Sequence, residues 1–174
     1  NSQGRDAARL LFGQGDIAPL CAFVEEYLLD VYHNRDYEHF NELSLKSLFI
    51  ALLFHNQLYI MDSEPALKRR YGDLIMLIRP EMRRYKVLDL LLEFKYVPLY
   101  KLKGKPSGEE VVKMERGELR QMSAVKSAFT QAEKQLKDYH KILKRKYGDV
   151  LRLRTYAVVA VGVERVFAEE VTDS

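Results

Sequence analysis

Residues 153–163 constrain the fold more than any other part of the chain. This segment, LRTYAVVAVGV, is rich in β-branched residues and almost fully apolar after its first residues. A strand of this kind has no polar face to turn toward water, so we expect it to be covered on both faces. The whole chain has 174 residues, of which 47% are apolar and 30% charged. That composition is typical of one globular domain with a sizeable core.

The pattern before this segment predicts helices first and then strands. Helices are predicted over residues 5–12, 16–32, 36–55 and 119–146, and Asp16 is the predicted N-cap of the second. Strands are predicted over residues 58–61, 73–78, 87–97 and 166–171, and the polar residues 99–118 are predicted to form a mobile loop. The order helix, three strands, helix, strand predicts an α/β fold with a mixed sheet flanked by helices.

Charge is distributed unevenly along the chain. The net charge is only +3, but residues 68–154 carry 23 basic and 11 acidic side chains. Residues 1–67 carry 4 basic and 10 acidic ones. A basic block of this kind is typical of a surface that binds a polyanion such as nucleic acid. A solvated, lysine-rich helix surface would produce the same pattern.

Several classes of protein and site are disfavoured. Cys21 is the only cysteine, which excludes an internal disulfide and favours a reduced, cytoplasmic setting. No apolar run is long enough for a membrane span, so we expect no membrane partner. The sequence contains neither a P-loop motif nor a GxSxG motif. The first residue is Asn, so we expect the chain to be a piece of a longer protein.

One predicted strand carries two charges among apolar residues. Glu93 and Lys95 are two positions apart, so their side chains point to the same face. A hairpin formed by residues 73–78 and 88–95 puts Asp73 opposite residue 94, within one position. A one-residue offset or a bulge places Asp73 beside Glu93 and Lys95. Two adjacent carboxylates repel each other unless a cation lies between them, and oxygen ligands favour Mg²⁺ or Mn²⁺. The alternative is a plain Glu–Lys or Asp–Lys ion pair.

A third carboxylate lies on the third predicted helix. Glu42 shares a face with Leu45, Phe49 and Leu53, because these residues follow it at i+3, i+7 and i+11. A carboxylate on an apolar stripe points inward, toward the same cleft as the other two. The alternative is a surface glutamate paired with Lys46 at i+4.

These residues resemble a known family. Asp73, followed after 19 residues by Glu93-Phe94-Lys95, is similar to the signature of the PD-(D/E)XK nuclease superfamily. Gln135-Leu136-x-x-Tyr139 resembles the Q-L-x-x-Y motif of several of its branches. The chain is similar in particular to one branch, the bacterial nuclease-like domain usually found C-terminal to an AAA-ATPase-like domain. The resemblance covers about residues 36–165, and it departs from the family at Gly72, where Pro is expected, and in the long segment 99–118.

The resemblance implies a fold and a domain organisation. The fold would be a restriction-endonuclease-like core of order αβββαβ with extra N-terminal helices. Residues 1–35 would be a linker-like helical segment and residues 36–174 the nuclease-like domain. An ATPase domain in the same full-length chain would be a partner, and the other partner would be nucleic acid, with DNA favoured.

The resemblance also implies roles for individual residues. Asp73 and Glu93 would hold Mg²⁺ or Mn²⁺ with the Phe94 backbone carbonyl, and Lys95 would orient the attacking water or stabilise developing charge. Glu42 would bind a second metal or a water. Gln135 and Tyr139 would contact nucleic acid or brace the site. Independently of the resemblance, the basic block predicts that Lys134, Lys137 and Lys141 contact phosphates of nucleic acid. The alternative function is a catalytically inactive module of the same fold that binds nucleic acid or a partner protein.

Overall fold

The computed structural model describes residues 2–32, 39–62 and 73–172 of the chain. The helices are α1 (Ser2–Gln14), α2 (Ala18–Tyr32), α3 (Glu42–Leu53), α4 (Gly108–Lys113), α5 (Arg116–Gln121) and α6 (Ser123–Tyr147). The strands are β1 (Tyr59–Met61), β2 (Asp73–Ile78), β3 (Asp89–Val97), β4 (Leu153–Val161) and β5 (Arg165–Glu170). None of the described helices combines the length and the apolar character that crossing a membrane requires.

The five strands form one mixed sheet of order β1-β2-β3-β4-β5. β3 and β4 run parallel, and every other neighbouring pair is antiparallel. A parallel pair requires a long crossover, and the chain makes it through α4, α5 and α6. The predicted α/β arrangement with a mixed sheet is therefore confirmed, and α3, β1, β2, β3, α6 and β4 follow one another in the predicted order.

Helices cover both faces of the sheet. Because side chains alternate along a strand, Leu92 and Phe94 of β3 pack with α1, α2 and α3, whereas Leu91 packs with α6 on the other face. Both faces of β4 are buried in the same way, with Val158 on one side and Val159 on the other. The expectation of a central strand covered on both faces is confirmed.

The two N-terminal helices belong to the packed layer on one face. Leu11 of α1 and Leu20 and Leu28 of α2 are fully buried in the core that contains the β3 residue Phe94. Asp16 accepts a hydrogen bond from the backbone N–H of Ala18 at 3.1 Å, which supports the predicted start of α2. The linker role of residues 1–35 and the domain boundary after them stay predictions.

The mobile loop predicted over residues 99–118 is wrong. α4 and half of α5 lie in this segment, and α4 begins with a reciprocal pair of hydrogen bonds between Ser107 and Glu110. Val111 and Leu119 anchor the two helices in the core with no exposed surface. Each helix has only six residues, which is too short to produce a periodic apolar pattern.

The starts of α6 and α3 also differ from the prediction. The long basic helix begins at Ser123 and not at residue 119, because Met122 has extended backbone angles between α5 and α6. α3 begins at Glu42, where the Asn41 side chain accepts a hydrogen bond from the backbone N–H of Ser44. The predicted start at residue 36 lies outside the described residues.

Candidate active site

The β2–β3 register places Asp73 directly opposite Glu93. The hairpin spacing predicts Asp73 opposite residue 94 within one position, so the observed register differs from the predicted central value by one residue. Because paired residues point to the same face, both carboxylates lie on the face covered by α6. The predicted adjacency of Asp73 and Glu93 is confirmed.

The type of this pairing brings the two side chains especially close. The backbone carbonyl of Ile75 accepts a hydrogen bond from the backbone N–H of Asp62, so the main-chain groups of Ile75 point toward β1. The main-chain groups of Asp73, two residues earlier, point the same way. Asp73 and Glu93 therefore form a non-hydrogen-bonded antiparallel pair, in which facing Cα atoms are only about 4.5 Å apart.

Glu93 is a buried carboxylate with one unsatisfied oxygen. Its side chain is 1% exposed, and its Oε1 lies 3.5 Å from the Nζ of Lys95. Its Oε2 is buried and has no hydrogen-bond partner among the described residues. Burial raises the pKa of Glu93 to about 8; the Lys95 ammonium opposes this shift, and the carboxylates of Asp73 and Glu42 add to it. A cation beside Oε2 would relieve both the burial penalty and the repulsion.

Tyr139 of α6 braces the other carboxylate. Its buried hydroxyl donates a hydrogen bond to the Oδ2 of Asp73 at 3.0 Å. Burial and the Asp73 carboxylate raise the pKa of Tyr139 to about 12, and a hydrogen bond from Gln135 lowers it. Gln135 is thus connected to Asp73 through the Tyr139 hydroxyl. The two residues of the Q-L-x-x-Y motif lie beside the carboxylate pair in a bracing arrangement.

The Phe94 side chain and backbone point to different surroundings. Its ring packs against Phe49 in the opposite core, with centroids 5.0 Å apart. Because Leu74 and Leu92 are the hydrogen-bonded pair next to Asp73 and Glu93, the main-chain groups of Phe94 point toward the β2 side of β3. The Phe94 carbonyl therefore points to the edge where β2 begins, next to the carboxylate pair.

Glu42 lies near this pair but on another surface. It is half-buried in the first turn of α3, on the opposite side of the sheet from α6, and its carboxylate contributes to the raised pKa of Glu93. The alternative pairing with Lys46 is wrong, because Lys46 forms an ion pair with Asp62 at 2.9 Å. Glu42 lines a cleft whose lining does not include Asp73, Glu93 or Lys95.

The donor set fits a divalent cation through two carboxylates. Among the described residues there is no group of three or more His, Cys, Asp or Glu side chains that could hold a metal ion. Asp73 and Glu93, with the Phe94 carbonyl, supply the oxygen ligands that Mg²⁺ and Mn²⁺ prefer. Mg²⁺ commonly takes only one or two protein carboxylates and keeps several waters. The metal site therefore stays a prediction, and the chemistry of these oxygen ligands is compatible with it.

Three lysines of α6, which we call the outer lysines, point away from this site: Lys134, Lys137 and Lys141. All three are exposed. Because an α-helix turns about 100° per residue, they lie about 140–160° around the axis from Tyr139. Nucleic acid held at Asp73 and Glu93 would have to extend around α6 to reach them. Their phosphate contact stays a prediction.

Asp89 is a structural residue that the sequence reasoning missed. It is fully buried and accepts hydrogen bonds from the backbone N–H groups of Ile78 and Arg152, at 2.8 and 2.9 Å, and from the guanidinium of Arg83. These bonds fix the turn end of the β2–β3 hairpin, so they help set the register that pairs Asp73 with Glu93. The sequence signal was a lone acid directly before the apolar residues 90–92.

Comparison of the chain with protein-family models, with curated proteins and with solved structures found no match. Gly72, where the superfamily signature has Pro, lies outside the described residues. The function is therefore inferred from the geometry of Asp73 and Glu93.

Proposed function

We propose that this chain is a metal-dependent nuclease-like domain that hydrolyses phosphodiester bonds in nucleic acid, with DNA as the favoured substrate. The observation that carries the proposal is the buried Oε2 of Glu93, which has no hydrogen-bond partner within residues 2–32, 39–62 and 73–172 and lies on a residue directly opposite Asp73. A buried, unsatisfied carboxylate oxygen next to a second carboxylate is costly. A bound Mg²⁺ or Mn²⁺ would remove that cost.

The proposal includes a restriction-endonuclease-like core. Its support is the element order α3, β1, β2, β3, α6, β4 and the position of the acidic residues within it. Asp73 is the first residue of β2, Glu93 is the middle residue of β3, and Lys95 follows it by two positions. An ATPase domain elsewhere in a longer chain belongs to the same proposal and rests on the sequence resemblance.

In this proposal Asp73 and Glu93 hold the cation, with the Phe94 carbonyl as a third oxygen. A cation held there lowers the pKa of bound water and neutralises charge on the phosphate. Tyr139 keeps the Asp73 carboxylate oriented by donating to its Oδ2. Gln135 in turn fixes the Tyr139 hydroxyl.

Lys95 supplies a positioned positive charge at the same place. Its side chain is 16% exposed and its ammonium contacts the Oε1 of Glu93, so it stands between the buried carboxylate and solvent. From there it orients the attacking water or stabilises the charge that develops on the phosphate oxygens. Glu42, whose carboxylate acts on Glu93 through space, is in this proposal the ligand of a second metal or a water.

The second candidate function is a catalytically inactive module that binds nucleic acid or a partner protein. One observation favours it: with a pKa of about 8, Glu93 is mostly protonated at neutral pH when no cation is bound. A protonated Glu93 beside Asp73 would be a stable arrangement without metal. The two candidates therefore differ in whether a cation binds and cleavage follows.

The test compares metal binding and cleavage in three variants. We expect Asp73→Ala to lose both Mn²⁺-induced stabilisation and cleavage of plasmid and single-stranded DNA. Lys95→Ala should keep metal binding, because ammonium is not a ligand, yet lose cleavage by about 10²–10³-fold. Lys86→Ala is the matched control, since Lys86 is exposed in the β2–β3 connection and should behave like the wild type.

Two results would contradict the nuclease proposal. One is equal low cleavage in the wild type and all three variants, which indicates a contaminating enzyme and favours the binding module. The other is a wild-type melting temperature that Mn²⁺ leaves unchanged.

A further inference from the structure

A cleft of about 1120 Å³ lies at the carboxyl ends of the parallel strands β3 and β4, and Asp73 and Glu93 are not among its lining residues. We call it the aromatic cleft, and the lining residues that matter here are Phe40, Glu42, Tyr96, Tyr100, Lys101 and Gly162. The crevice outside the carboxyl ends of parallel strands is a common ligand position in α/β proteins. The site proposed above makes no use of the aromatic side chains.

The lining combines flat aromatic surface with a cation. The Tyr96 ring contacts Phe40 with centroids 5.3 Å apart, which fixes it as a wall of the cleft. Tyr100, in a short 3₁₀ turn after β3, is 68% exposed, more than any other large hydrophobic residue among those described. Lys101 adds a positive charge, and Lys103 and Lys105 follow it, both exposed. Exposed aromatic rings beside lysines are typical of surfaces that bind single-stranded nucleic acid.

The cleft connects to the carboxylate pair through β3 and Glu42. Tyr96 is three residues after Glu93, so the two lie about 10 Å apart along the strand, on opposite faces. Glu42 lines the cleft and also raises the pKa of Glu93. Because the two positions lie on opposite faces of β3, a bound strand has to pass around the edge where β2 begins to present a base to the cleft and a phosphate to the carboxylate pair.

We propose that the aromatic cleft receives an unstacked base of single-stranded nucleic acid whose neighbouring phosphate lies at Asp73 and Glu93. This inference rests on the proposed function, because that function supplies the phosphate position. A paired and stacked base inside a duplex has no free face to offer Tyr100 and Tyr96. The substrate class is therefore single-stranded, or an unpaired end or flap.

The experiment measures binding of a fluorescein-labelled 12-nucleotide oligothymidylate by anisotropy, in EDTA, so that neither cation binding nor cleavage contributes. The comparison probes are an oligomer of equal length with abasic central nucleotides and a 12-base-pair duplex. The wild type should bind the oligothymidylate at least about 5-fold more tightly than the abasic oligomer. Tyr100→Ala should remove most of that preference, whereas Tyr100→Phe should keep it.

Tyr85→Ala is the matched control, because Tyr85 is 47% exposed and lies outside the cleft lining. It should keep the wild-type preference, and all variants should keep the wild-type melting temperature. Equal wild-type affinity for the oligothymidylate and the abasic oligomer would overturn the inference. A Tyr100→Ala variant with full preference would also overturn it, as would tighter binding of the duplex.

Failure of this inference and failure of the nuclease proposal give different results. If the chain cleaves in Mg²⁺ but Tyr100→Ala does not change the base preference, base binding in the aromatic cleft is refuted and the nuclease proposal is unaffected. If the preference for the oligothymidylate depends on Tyr100 but the chain does not cleave, the cleft is supported as a base-binding site and the nuclease proposal is refuted.

Discussion

Replacing Glu93 by Gln tests the electrostatic state of the carboxylate pair. Burial raises the pKa of Glu93 from its ordinary value of 4.5 to about 8, so the folded protein holds this proton more tightly than the unfolded chain. The stability contributed by the protonated group is complete below pH 4.5 and is lost as the pH rises toward 8. At pH 7 this linkage costs the metal-free wild type about 3 kcal/mol.

Glu93→Gln is nearly isosteric with protonated Glu93 and carries no charge at any pH. We expect the variant to match the wild type within about 1 kcal/mol at pH 4.5 and to exceed it by about 3 kcal/mol at pH 7 in EDTA. The assay is urea denaturation followed by circular dichroism across this pH range. Glu26→Gln, which replaces an exposed carboxylate on α2, is the control and should follow the wild type.

Adding Mg²⁺ extends the same experiment to the metal proposal. A cation that binds ionised Glu93 stabilises the wild type at pH 7 and leaves Glu93→Gln almost unchanged, so the difference between them should shrink. Parallel pH profiles for the wild type and Glu93→Gln in EDTA would refute the reasoning, because Glu93 would then be ionised in the folded protein without cost.

Three further predictions concern the surroundings of the site. Tyr139→Phe removes the hydroxyl that donates to Asp73 and should lower the free energy of unfolding by about 1–3 kcal/mol in urea denaturation. Gly162→Ala should lower it by about 2–4 kcal/mol, because Gly162 has φ 55° and an added Cβ would overlap the Glu164 carboxylate; Gly117→Ala, with open space around it, should be neutral or stabilising. Replacing all three outer lysines by Gln should reduce the salt-dependence slope of single-stranded DNA binding by about 2, and an unchanged slope would identify them as solvated surface.

Strand positions were predictable because they are encoded in local, periodic patterns. β2 begins and ends at the predicted residues, and β3 and β4 differ from their predictions by only two residues at one end. Both strands of the parallel pair are mostly apolar, as strands buried on both faces require. The order of the elements then restricted the topology to a mixed sheet.

The register of the carboxylate pair was predictable only to within one residue. The turn after β2 contains a short 3₁₀ segment, Pro80–Met82, and the buried Asp89 accepts hydrogen bonds from both sides of the hairpin. These interactions shift the pairing from the symmetric value and place Asp73 opposite Glu93. They depend on a contact with Arg152, far along the chain, which no local pattern reveals.

The layout of the surrounding surfaces depends on tertiary packing and was not predictable. α4 and α5 are too short for a periodic signal, so the segment that carries them looked like a loop. The spacing of Glu42 from Leu45 correctly indicated a helix face, but it could not show that α3 lies across the sheet from α6. The aromatic cleft arises because Tyr96 near the end of β3 and Tyr100 just after β3 lie beside the start of α3.

Diffraction from crystals grown with Mn²⁺ tests the central claim most directly. We predict an anomalous difference peak between the carboxylates of Asp73 and Glu93, within about 2.0–2.6 Å of an oxygen of each, with the ammonium of Lys95 outside the ligand shell. The absence of that peak at Mn²⁺ concentrations that support cleavage would contradict the account. So would a structure in which Lys95 lies between the two carboxylates as a plain ion pair.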